Sequence, residues 1–126
     1  MSDQNQSERR KHNRVKFNGE MTLRPVVPSK SGNILKVQTH GISTKGCEIS
    51  EDGIRFKLTN QKLNSELLKV NFTIHKFKSI DAYGKLAWKK GETHGLHFIV
   101  LDEDSRGYIR EYVKNQKNKF QQALSN

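Results

Sequence analysis

Cysteine occurs once in the 126 residues, at Cys47, so no disulfide can form within the chain and a reducing compartment, the cytoplasm, is expected. Proline occurs twice, as Pro25 and Pro28, both inside one turn-rich stretch. Elsewhere, little in the composition interrupts regular structure except nine glycines. No apolar run approaches the roughly 20 residues of a membrane helix. The opening Met-Ser-Asp-Gln-Asn-Gln-Ser lacks the apolar centre of a signal peptide, so none is expected. Acidic residues are few, 13 against 23 Lys and Arg. The formal net charge of +10 turns the search toward anionic partners: nucleotides, nucleic acid or an acidic membrane surface. Aromatic residues make up only 8% of the chain, which leaves few rings for a base-stacking platform once a core is filled.

What is present is alternation. Val15, Phe17, Gly19, Met21 and Leu23 recur with a period of two, the mark of a half-buried strand, with Gly19 at a bend. Residues 24–32 carry both prolines and read as turn rather than central strand, and an extended segment is expected within 34–40. Cys47 and Ile49, then Ile54, Phe56 and Leu58, alternate on either side of Ser50-Glu51-Asp52-Gly53, which predicts a hairpin. On that hairpin Glu48 and Ser50 are expected to face outward. Further strands are expected over 67–77, 80–88 and 96–100, with Ile80, Ala82, Leu86 and Trp88 in step toward the core. Short strands with turns between them suggest a small antiparallel barrel, which removes sheet edges by closing. After Asp102 the period becomes helical through Tyr108, Ile109, Tyr112 and Val113, predicting a helix that covers part of the barrel.

Charge concentrates in Glu8-Arg9-Arg10-Lys11-His12-Asn13-Arg14, just before the first strand. A guanidinium is planar, permanently charged and offers five donors, so it can grip phosphate oxygens, read a guanine edge or stack on a base. Arg10 and Arg14 share a side of an extended arm at roughly 13 Å, or one face of a helical turn at about 6 Å. Either spacing suits one small ligand bearing several phosphates and purines. A solvated basic arm is the plain alternative.

Taken together, Arg10-Lys11-His12-Asn13-Arg14 and Glu48-Ile49-Ser50-Glu51-Asp52-Gly53 resemble the paired signature of the PilZ domain family, RxxxR followed by [D/N]xSxxG. Gly84-Lys85-Leu86-Ala87-Trp88, Gly95-Leu96-His97-Phe98 and Leu101-Asp102-Glu103-Asp104 stand where that family has its late strands and the start of its closing helix. The resemblance implies a six-stranded antiparallel β-barrel flanked by one α-helix. It divides the chain into a disordered N-terminus (1–8), a PilZ-like domain (9–114) that includes the basic arm 9–14, and a helix extension or tail (115–126). Many members of that family are bacterial receptors for cyclic di-GMP. By resemblance, Arg10 and Arg14 bind phosphates and guanine, Arg9 adds a phosphate contact, and Ser50 hydrogen-bonds the ligand. Gly53 would let the turn approach the ligand closely. Glu48 stands where the family has Asp or Asn: it keeps the carboxylate that accepts guanine N–H groups but displaces it by a methylene. Closure of the arm on the ligand would alter a surface read by a downstream protein.

Two other functions remain in view. A PilZ-like module that binds proteins without nucleotide is kept open by Glu48, and a basic nucleic-acid-binding barrel by the net charge. An enzyme is not expected. His94 and His97 are three apart on a strand and point to opposite faces, Cys47 reads as a small core residue, and Asp102 and Asp104 read as helix-start residues. No cofactor or metal is implied.

Overall fold

The computed structural model describes residues 14–58, 65–75 and 78–125, with side chains through 119. Arg9, Arg10 and the stretch expected to be disordered, 1–8, lie outside the described residues. Seven strands and a helix follow in order: β1 (Val15–Pro28), β2 (Leu35–Val37), β3 (Ile42–Ile49), β4 (Gly53–Lys57), β5 (Leu67–Ile74), β6 (Lys78–Lys90), β7 (Thr93–Val100) and α1 (Glu103–Ser125). Six of the strands close in the order β1-β3-β4-β7-β6-β5, with β5 pairing back onto β1, and every ladder is antiparallel. The expected six-stranded barrel with one C-terminal helix is what forms.

Closure depends on β1, which pairs with β3 through Val15–Phe17 and Glu20–Leu23 and with β5 through Thr22 to Pro25. A strand that serves two neighbours over 14 residues must bend. The ladder to β3 slips between Phe17 and Glu20, and the Phe17 ring folds under Gly19, where an added Cβ would lie 2.6 Å from a ring carbon. The alternation read from the sequence holds on either side of this bulge: Phe17, Met21 and Leu23 are all buried.

The proline stretch behaves differently from expectation. β1 continues through Pro25 to Pro28 and turns back as a hairpin onto β2, with Val26 opposite Val37 and Pro28 opposite Leu35. Pro25 is tolerated because it stands in the gap between the β3 ladder, which ends at Leu23, and the β2 ladder, which begins at Val26. Its carbonyl still accepts a hydrogen bond from the Gln38 N–H at 2.9 Å. β5 likewise stops at Ile74, short of the expected 77, because His75 takes a left-handed φ of 51°. The His75 Nε2 lies 3.0 Å from the Tyr108 carbonyl, tying this strand end to α1.

The barrel interior is filled from all six strands, with Cys47, Ile49, Leu68, Val70 and Ile80 fully enclosed. Burial pushes the Cys47 thiol pKa up, consistent with a core role. The helix adds Ile109 and Val113 to the same core, and fully burying a side chain the size of isoleucine is worth about 1.5–3 kcal/mol. Asp102 caps α1: its carboxylate accepts from the Ser105 N–H at 2.7 Å and from the Ser105 hydroxyl at 3.1 Å. These bonds hold the Asp102 carboxyl below its usual pKa of 3.8.

Candidate ligand-binding site

Between the foot of β1 and the outer face of β6 and β7 lies an open cavity of about 260 Å³. Arg14 borders it from one side, Ser50, Asp52 and Gly53 from the β3–β4 turn, and Trp88 and His97 from β6 and β7. Three residues singled out in two distant sequence motifs therefore share one cavity: Arg14, Ser50 and Gly53.

The turn is built by its own side chains. The Ser50 N–H donates to the Gly53 carbonyl at 3.0 Å, and the Asp52 N–H donates to the Ser50 hydroxyl at 3.2 Å. Ser50 borders the cavity but is only 3% exposed, so it is covered rather than open to solvent. The strand ends at Ile49, and Ser50 turns its hydroxyl back to brace the loop. Gly53 is required for another reason than a positive φ. A Cβ there would sit 1.8 Å from the Leu96 carbonyl oxygen, so glycine is what allows β4 and β7 to pair at this point.

Glu51, within the motif but not selected from the sequence, ties the turn to the helix. Its carboxylate accepts from Arg110 Nε and Nη2, both at 2.9 Å, and its backbone carbonyl accepts from Arg106 Nη1 at 3.1 Å. Two arginines one helical turn apart thus clamp the turn to α1. Hydrogen bonding to Glu51, followed by its charge, raises the Arg110 pKa further.

Trp88 departs from its expected place in the core. Leu86 pairs with Leu96 but Trp88 pairs with Gly95, so Ala87 is an extra residue that reverses the facing of the residues after it. Leu96 is buried, hence its neighbour Gly95 and Gly95's partner Trp88 lie on the outer face. The indole lies across Gly95, where a Cβ would come within 2.2 Å of it, and Trp88 is 39% exposed. The bulge that turns it outward has no local signature in the sequence. The two histidines do separate: His94 is buried and stacked on Phe56, with ring centroids 5.3 Å apart, while His97 is exposed at the cavity.

Glu48 faces outward as expected but is not among the residues around this cavity. It stands in a cross-strand row, Lys16–Glu48–Arg55–Gly95–Trp88, and its carboxylate forms an ion pair with Arg55. It borders an adjoining, more basic cavity.

A family model described as the PilZ domain matches residues 8–115, nearly the whole chain. The chain belongs to the PilZ domain family. That family includes many cyclic di-GMP receptors, and its matched region takes in the basic arm, the β3–β4 turn, the barrel and the start of α1. No curated protein matches the chain. No helix among the described residues is long and apolar enough to cross a membrane.

Proposed function

We propose that this PilZ domain is a receptor for cyclic di-GMP and that the cavity bordered by Arg14, Ser50, Gly53, Trp88 and His97 is the barrel half of its site. The observation that carries the proposal is the meeting of Arg14 with the Ser50–Gly53 turn across one cavity, although 36 residues separate the two in sequence. The chemistry fits a cyclic dinucleotide. A guanidinium holds phosphate oxygens by charge-assisted bonds. The exposed indole of Trp88 offers a flat face for a purine, and base stacking of this kind is worth about 1–3 kcal/mol per base.

The size of the cavity is compatible with a site that has a second half. Pockets that enclose drug-sized ligands span about 300–1,000 Å³, and 260 Å³ falls short. In this reading residues 9–13 supply the remainder: Arg10 binds phosphate and guanine, and Arg9 adds a phosphate contact. Closing this arm over the ligand converts a local electrostatic event into a new surface, which a downstream protein reads. The turn's clamp to α1 through Glu51 gives the ligand a direct mechanical link to the C-terminal helix.

A second reading, a PilZ module that binds proteins without nucleotide, is favoured by one observation. The Glu48 carboxylate, at the position where the family reads guanine, is engaged by Arg55 beside a different cavity. Isothermal titration with cyclic di-GMP at moderate salt, with GTP as control, separates the two. Saturable heat selective for the cyclic dinucleotide supports the receptor. Absence of heat at high protein concentration, with unchanged NMR shifts at residues 50–53, supports the ligand-free module. A nucleic-acid binder would instead show steeply salt-dependent binding to random oligonucleotides.

A further inference from the structure

The β1–β2 hairpin leaves a sheet edge open beside an apolar cavity. Among the described residues β2 pairs with β1 alone. The Ser29 N–H donates to the Ile34 carbonyl, and the Gln38 N–H to the Pro25 carbonyl. Pairs in an antiparallel ladder alternate, so Val27–Lys36 is the hydrogen-bonded pair between these two. The N–H and C=O groups of Leu35 and Val37 therefore point away from β1. The side chains of the same two residues border a cavity of about 320 Å³, together with Leu67, Tyr83, Ile99 and Val100. It shares no residue with the cavity at Arg14 and Ser50 or with the one at Glu48. We infer that this edge docks an extended segment of another protein, alternating apolar and acidic residues, which adds to β2 as a further strand.

The extended form follows from the edge, where main-chain groups aimed outward take a strand and the neighbouring cavity takes its side chains. The apolar positions follow from Leu35, Ile99 and Val100, which are 64%, 55% and 57% exposed around a cavity whose described border holds no charged residue. Grouped about a concavity, such residues mark a contact. The acidic positions follow from Lys36. It points to the face of β2 opposite Leu35 and Val37, so an added strand sets its apolar residues over the cavity and the residue between them beside Lys36. Further cations stand close by: Lys30 in the hairpin turn, Lys85 opposite Leu67, and Lys69 over the Tyr83 ring at 5.4 Å. The nearby acids are Glu66, next to Leu67, and Asp81, which accepts from Asn71. A second copy of this chain is a poor occupant, since β2 against β2 in antiparallel register would oppose Lys36 to Lys36.

The edge is open without cyclic di-GMP, so its occupation is independent of the receptor reading. The test is NMR titration of the full chain with the peptide Ser-Val-Glu-Val-Glu-Val-Ser, with Ser-Val-Lys-Val-Lys-Val-Ser as control. Saturable shifts are expected at the amides of Leu35, Val37 and Ile99. The Leu35 and Val37 amides should also gain the protection from hydrogen exchange that the Lys36 amide already has. Lys36→Glu should weaken the glutamate peptide about fivefold and strengthen the lysine peptide by a similar factor. Lys114→Glu, which makes the same charge change on α1, should do neither. An equal effect of Lys114→Glu would reduce the attraction to net charge and overturn the proposal. So would the absence of saturable shifts at these amides. Shifts there that grow with protein concentration alone would assign the edge to a second copy, and phosphatidylserine vesicles that the peptide does not displace would assign it to a membrane; either would equally overturn it.

Discussion

Gly53→Ala separates two roles that the motif glycine could play. If Gly53 serves only to let a ligand approach the turn, alanine should leave the ligand-free protein untouched. The structure predicts otherwise. The new Cβ would lie 1.8 Å from the Leu96 oxygen, 2.9 Å from its carbonyl carbon and 3.1 Å from the His97 Cα, all backbone atoms that no rotamer change can clear. β4 and β7 must separate at the Gly53–His97 and Ile54–Leu96 pairs. Forcing a methyl into a closed packing usually costs about 1–3 kcal/mol, and a lost ladder bond adds about 0.5–1.5 kcal/mol. Together these give about 2–4 kcal/mol, a large part of the roughly 5–15 kcal/mol that holds a domain folded. At around 4 °C per kcal/mol for a chain of this length, the midpoint of ligand-free thermal unfolding should fall by roughly 8–16 °C. Circular dichroism at the sheet band reads this directly. An unchanged midpoint would refute the reasoning and return Gly53 to a purely ligand-facing role.

Arg14→Ala should weaken cyclic di-GMP binding by about 2 kcal/mol through lost charge-assisted bonds, with little change in melting temperature, as read by calorimetry and thermal scans. Trp88 is the only tryptophan, so its fluorescence should be quenched on saturation with the dinucleotide; Trp88→Ala should lose about 1–3 kcal/mol of affinity and leave the fold intact. Glu51→Ala should lower the melting midpoint by roughly 2–5 °C and loosen α1, seen as faster amide exchange over 103–113. The lowered pKa of Asp102 means that its cap stabilises α1 above the usual carboxylate pKa of 3.8 and is lost as pH falls through the lower folded value. Helical ellipticity should therefore drop in that acid window, and Asp102→Asn should flatten the drop.

Much of the fold is legible in the order of side chains because burial on one face of a strand imposes a period of two and burial along a helix imposes a longer one. The alternation of Phe17, Met21 and Leu23, of Ile54 and Phe56, and of Val70, Phe72 and Ile74 is enough for a barrel, and Tyr108 to Val113 for its helix. Arg14 and the Ser50–Gly53 turn are equally visible as motifs, since donors for an anion and a tight turn are local properties. The tertiary structure alone decided which residues meet. Ala87 bulges against β7 and carries Trp88 from the predicted core to the cavity. Gly46 reverses parity and turns Lys45 outward. Arg55 occupies Glu48 across a ladder, and Arg106 and Arg110 reach Glu51 from a helix more than 50 residues away. Each of these depends on a partner strand or helix fixing the register, and periodicity along one segment carries no record of that partner.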